Sequence, residues 1–185
     1  MSPGGHLVTT AITCAGVYAA TGSPALTLGL AAGGFLIDID HFLDYVLFER
    51  QKNLSPAAFL RYYLDGRARR VVLMLHSYEL FAVLAMLAWA TNSEWLWGWV
   101  LGMALHLPLD VIFNGKFATG GLVHFYSFAV RARAGFEAAR FIDKRRLPSF
   151  SDGFVVAFFR GGRLQETPTS PAVRPVLERQ LDVSG

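Results

Sequence analysis

Two mostly apolar runs of about twenty residues, Val71–Ala90 and Trp95–Phe113, are separated only by Thr91-Asn92-Ser93-Glu94. A membrane-spanning helix needs about twenty such residues, so the pair predicts an antiparallel hairpin of membrane-length helices. Trp95, Trp97 and Trp99 open the second run, where indole rings favour a membrane interface. A similar hairpin precedes it. Leu7–Ala20 and a stretch from Ala25 to about Phe48 flank Thr21-Gly22-Ser23-Pro24, and Ser followed by Pro suits the start of a helix. Composition agrees with lipid as the solvent: 53% of residues are hydrophobic and 17% charged, against about a quarter charged in soluble domains. The predicted fold is all-α, a membrane-embedded four-helix up-down bundle over residues 1–127.

The remaining segments read as attachments to that bundle. Between the hairpins, Glu49–Arg70 is polar and basic, and Ser55-Pro56 opens a short surface helix over Ala57–Leu64. Phe128–Ile142 mixes Phe and Ala with Arg131, Arg133, Glu137 and Arg140, the pattern of an amphipathic helix on a membrane surface. It predicts a basic cytoplasmic extension over 128–163, within which Phe154–Phe159 reads as a strand or an interfacial anchor. Pro168, Pro171 and Pro175 mark 164–185 as a disordered tail. No Lys or Arg precedes the first apolar stretch, so it reads as a retained helix rather than a signal peptide. The lone Cys14 implies no internal disulfide. The net charge of +3 comes with no basic stripe interleaved with aromatics, so nucleic acid is not an expected partner. All seventeen Lys and Arg lie in Glu49–Arg70 or after Phe113. The positive-inside rule then puts both tight turns outside and both termini in the cytoplasm of a multi-pass inner-membrane protein.

On such a bundle the starts of odd helices and the ends of even ones share one membrane face. His6 precedes the first helix; Asp38, Asp40 and His41 fall late in the second; His76 and Glu79 open the third; His106 and Asp110 fall late in the fourth. All these groups are predicted to converge on the cytoplasmic side. Spacing supports this, because His106 and Asp110 are i,i+4 while Asp38 and His41, like His76 and Glu79, are i,i+3. Pro108 frees the carbonyl of Ala104 and would help aim His106 inward. Ionised aspartates in a membrane helix cost about 2.5–3.5 kcal/mol each on insertion scales, and Asp38, Asp40 and Asp44 would repel one another without a cation. Imidazole with carboxylate suits zinc, manganese or iron. The predicted metal ligands are His6, Asp38, Asp40, His41, His76, His106 and Asp110, holding two or three zinc-type divalent ions. Ser77 reads as a partner of the ligands rather than a ligand, and His124, beside Gly120-Gly121, stays outside the set.

Gly34-Phe35-Leu36-Ile37-Asp38-Ile39-Asp40-His41 resembles the signature G-x-L-x-D-x-D-H. His76-Ser77 resembles an HS pair opening a third helix, and Gly102 to Asp110 resembles G-x-x-x-H-x-x-x-D, with His6 completing the pattern. Over about residues 4–125 the chain resembles the YdjM-like family of LexA-binding, inner-membrane-associated, metal-dependent hydrolases. That family is distantly similar to zinc-dependent phospholipase C and P1-type nucleases, whose H-x-x-x-D pair His106 and Asp110 resemble. The resemblance implies phosphoester hydrolysis by metal-bound hydroxide. The family's segment before the HS pair often reads HRG-x-T, whereas this chain has Val71-Val72-Leu73-Met74-Leu75, with Arg69 and Arg70 the candidates to substitute.

The expected function is thus a membrane-bound hydrolase of a lipid-like phosphoester, with Asp40 or Glu79 as the base that orients the attacking water. Substrate would approach from the cytoplasmic leaflet, drawn by Arg67, Arg69, Arg70 and the Arg131–Arg146 region. The alternative is a non-enzymatic membrane protein with a structural metal site or a regulatory role, its basic C-terminal segment binding a cytoplasmic protein.

Overall fold

The computed structural model describes residues 1–115, 118–119 and 122–164. The chain is mostly helical. Four longer helices, α1 (Pro3–Thr21), α2 (Pro24–Gly34), α5 (Tyr78–Thr91) and α6 (Glu94–Asn114), are joined and followed by short ones: α3 (Ile39–Leu43), α4 (Pro56–Leu64), α7 (Leu122–Phe125), α8 (Phe128–Arg133) and α9 (Phe154–Arg160). Serine side chains cap most of them. Ser2, Ser23, Ser55, Ser77, Ser93 and Ser127 each accept a bond from a backbone N–H in the first turn, and Pro3, Pro24 and Pro56 follow three of those caps. Phe150–Ser151 and Arg163–Leu164 pair as two short parallel strands.

The centre is the α2–α6 pair, with α1 packed on α2 and α5 on α6. Glycines let the two central backbones touch. A Cβ placed on Gly33 or Gly98 would lie 2.1 Å from the carbonyl oxygen of Trp99 or Leu26, one on Gly29 2.2 Å from that of Trp95, and one on Gly102 2.4 Å from that of Leu30. Both helices therefore carry a Gly-x-x-x-Gly pair at the contact, the small-residue packing that membrane helices favour. Each obstructing atom is backbone and cannot swing aside. A Gly98→Val chain should be destabilised by about 1–3 kcal/mol or more from overpacking. Thermal unfolding of the variant beside the parent checks this.

The second predicted helix does not run straight to Phe48. Its path bends by 42° after Gly34 and continues through a 3₁₀ turn (Leu36–Asp38), α3 and a π turn (Asp44–Phe48). The third predicted helix starts late: Val71–Ser77 is not helical, and α5 has only fourteen residues. The reason lies in three acidic side chains. Glu49 accepts bonds from the backbone N–H groups of Arg69 and Arg70, Asp44 from those of Val72 and Leu73, and Asp40 from those of Leu75 and His76. Carboxylates on successive turns thus take the donors that a helix would have used. Leu73 takes the left-handed region, at φ 43°, where its N–H and that of Val72 reach the same Asp44 oxygen. Burial alone would raise the Glu49 carboxyl, but the Tyr62 hydroxyl and the two N–H donors outweigh it and hold it below the ordinary glutamate range.

Among the described helices, α6 is long and apolar enough to cross a membrane, and the bent α2–Phe48 path makes a second candidate if counted as one span. The C-terminal third departs further from expectation. The predicted amphipathic helix over Phe128–Ile142 is only α8, ended by a turn through Gly135 and Phe136, both at positive φ, and followed by a 3₁₀ turn at Ala138–Arg140. Arg131, expected on a membrane surface, is fully buried. The Phe154–Phe159 run is helical, as α9, and not a strand. Tyr126, Ala138 and Phe141 share one core with Ile37, Val71 and Met103. The expected tail at 164–185 lies, apart from Leu164, outside the described residues.

Candidate metal centre

The structure brings His6, Asp38, Asp40, His41, His76, His106 and Asp110 into one buried cluster. They form three overlapping groups able to hold a metal ion: His6, His106 and Asp110; Asp38, His76 and His106; Asp40, His41 and His76. Each comes from a different local cause. The first turn of α1 carries His6. Asp38 ends the 3₁₀ turn, and Asp40 and His41 sit in α3. The carboxylate zipper places His76, and α6 carries His106 and Asp110 one turn apart.

Hydrogen bonds fix the two central imidazoles. His106 Nδ1 lies 2.9 Å from the carbonyl oxygen of Gly34. A carbonyl has no proton to give, so Nδ1 carries it and Nε2 presents its lone pair. His76 Nδ1 lies 2.9 Å from Asp40 Oδ1, which likewise leaves Nε2 as the free face. The two Nε2 atoms meet at 3.0 Å. Two lone pairs at that distance repel unless a proton or a metal cation lies between them.

Two carboxylates complete the figure. Asp38 Oδ1 lies 3.3 Å from His76 Nε2 and 3.5 Å from His106 Nε2, while Asp110 Oδ2 lies 3.9 Å and 3.4 Å from the same two atoms. Four ligands held 2.0–2.1 Å from a tetrahedral zinc ion would stand about 3.3 Å apart. The five edges that run through His76 and His106 are 3.0–3.9 Å, close to that spacing, while Asp38 and Asp110 belong to separate ligand groups on either side of the two imidazoles. Asp110 also reaches outward. Its Oδ1 is 2.9 Å from His6 Nε2 and accepts a bond from Asn114, while its Oδ2 accepts one from the Tyr126 hydroxyl. The His6 ring stacks on that of His106 with centroids 3.7 Å apart. His41 Nε2 stands 3.9 Å from Asp38 Oδ1. His6 Nδ1 and His41 Nδ1 are buried with no partner among the described residues. Burial opposes protonation of His76, but the Asp40 and Asp38 carboxylates outweigh it and push its pKa up to about 10. In the metal-free chain a proton can thus stand where the cluster would hold a cation.

Not every predicted role survives this placement. Asp40 gives both oxygens to His76 and its neighbouring N–H groups, which makes it the group that orients His76 rather than a free base. Asp44 is likewise engaged by backbone donors and is not part of any candidate metal group. Glu79 is not brought to the cluster. Its two oxygens accept bonds from the Ser127 hydroxyl and from the N–H groups of Phe128 and Ala129, at the start of α8. His124 is exposed. Arg69 and Arg70 meet Glu49 through their backbone N–H groups instead of lying beside His76. The cation that does stand there is Arg131, which sequence reasoning missed. Its guanidinium donates to the carbonyls of Phe125, Leu73 (2.8 Å) and His76 (3.0 Å). Nothing in the pattern around Arg131 marks it as buried. The glycine pairs at the α2–α6 contact had a legible signal in their four-residue spacing.

A cavity of about 800 Å³ opens onto the cluster, with His6, Asp38, His41 and Asp110 in its wall. No family model, curated protein or solved structure matches this chain.

Proposed function

We propose that the chain is a membrane-associated, metal-dependent hydrolase acting on a phosphoester, a YdjM-like enzyme as its motifs suggest. The observation that carries this reading is the facing pair of His76 Nε2 and His106 Nε2 with Asp38 Oδ1 and Asp110 Oδ2 each within 3.9 Å of both, beside a cavity whose wall includes both aspartates. Each candidate group offers three ligands, which leaves a fourth position for water, as a catalytic zinc site requires. His6 and His41, each with an unpartnered ring nitrogen, extend the set toward a second or third ion. When bound, zinc-type ions supply an activated water and offset the charge that develops on the phosphoryl oxygens. The chain's own groups do the rest. Asp38 is the most exposed carboxylate of the set and lines the cavity, where its oxygen outside the ligand set would accept a proton from a water held there. Asp40 and the Gly34 carbonyl hold the two central imidazoles in their working tautomers.

Membrane association rests on α6, on the bent α2 path, and on large apolar side chains exposed on all four longer helices, such as Ile12, Leu28, Trp89 and Ile112. In this reading the four helices form a multi-pass bundle in the inner membrane with both termini cytoplasmic. Metal analysis of detergent-purified protein, paired with a panel of phosphomonoesters and phosphodiesters, tests the proposal. Tightly held zinc-type metal and hydrolysis abolished by a chelator and restored by metal are expected. Loading should also weaken as pH falls, because His76 must give up its proton. A metal-loaded protein inert toward every phosphoester would favour the structural-site reading.

A further inference from the structure

The cavity beside the cluster has two unlike sets of lining residues. One set is the imidazole and carboxylate wall of His6, Asp38, His41 and Asp110. The other is apolar and comes from distant parts of the chain: Phe59 and Leu64 of α4, Phe125 of α7, Phe141 and Ile142 beyond α8, and Phe158 of α9. Lys144 and Arg160 also line it, and both are exposed. The C-terminal third therefore roofs the site, and that roof is oily on its inner side. Water alone would be a poor occupant of such a space, since apolar walls give it few partners. A metal ion with its waters would engage only the polar set.

We propose that this chamber seats the apolar chain of a single-chain anionic phosphoester, with the phosphoryl group at the His/Asp wall and the chain under the roof of α4, α9 and the 138–148 segment. The inference rests on the hydrolase reading and narrows its substrate to a class. A cavity of about 800 Å³ is within the range of about 300–1,000 Å³ that buries one drug-sized molecule. It suits one alkyl, acyl or prenyl chain. Lys144 and Arg160 complement the negative charge of a ligand that arrives from the aqueous side.

The test uses the full-length, metal-loaded protein in nanodiscs with ethyl, hexyl and decyl para-nitrophenyl phosphate as probes. If the chain is buried in the chamber, kcat/KM should rise by up to about fourfold per added methylene until the space is full. A Leu64→Trp substitution should flatten that slope, and Ile142→Phe offers a second way to fill the chamber should the first variant fail to fold. Binding is measured separately, by displacement of a fluorescent alkyl chain with decyl phosphate. Hydrolysis with no dependence on chain length would overturn the chamber inference and leave the hydrolase reading standing. Saturable decyl phosphate binding, weakened by Leu64→Trp but without hydrolysis of any probe, would keep the chamber and sink the hydrolase. Absence of saturable binding overturns the proposal whatever the activity.

Discussion

If the proposed function holds, replacing His106 with alanine is expected to abolish metal binding and phosphoester hydrolysis together. His106 is fully buried and belongs to two of the three candidate metal groups. Its Nε2 meets His76, Asp38 and Asp110 within 3.5 Å, so its removal takes away three of the five measured edges. The loss also leaves the Gly34 carbonyl without its donor. Changes in residues that merely orient a ligand cost about 10–100-fold in metal affinity, and loss of a central ligand should exceed that. The measurements are metal content after dialysis against a weak chelator, turnover of an aryl phosphodiester, and far-ultraviolet circular dichroism. Metal and turnover should fall to background with helix content retained. An alanine variant that keeps its metal, or hydrolyses at the parental rate, excludes the proposed centre.

The second large effect should come from Arg131, a residue that touches no candidate ligand side chain. Its guanidinium is wholly buried and gathers the carbonyls of Leu73, His76 and Phe125. These belong to the strained turn, the zipper's end and the segment that presents Tyr126 to Asp110. An Arg131→Met chain keeps much of the volume but leaves three carbonyls without this donor, at about 1–3 kcal/mol for each one left unsatisfied. Thermal unfolding should drop by several degrees, at about 2–4 °C per kcal/mol for a chain of this size. Metal affinity should fall about 10–100-fold because His76 is no longer held. Arg131→Lys should recover only part of either loss, since one ammonium cannot reproduce the planar fork. A methionine variant with parental melting and metal affinity would show that the carbonyl cluster does not position His76.

The parts of this protein that the sequence decided are those set by neighbours a few residues away. Serines before Pro3, Pro24 and Pro56 start helices because capping is local. His106 and Asp110 share a face because a helix repeats every 3.6 residues, and alternating apolar runs bring His6, Asp38, His76 and His106 to one end. Tertiary structure decided what each polar group does there. Whether Asp44 repels its neighbours or caps a turn depends on N–H groups 28 and 29 residues away, and Asp40 becomes the support of a histidine 36 residues distant. Val71–Ser77 reads as helix by hydropathy but is drawn out of it by those carboxylates. Arg131 reads as a surface charge until three carbonyls from two distant segments surround it. Periodicity records which side chains leave a helix together; it carries no record of the distant donors and acceptors they meet, because each buried polar group must find its partner in the folded chain.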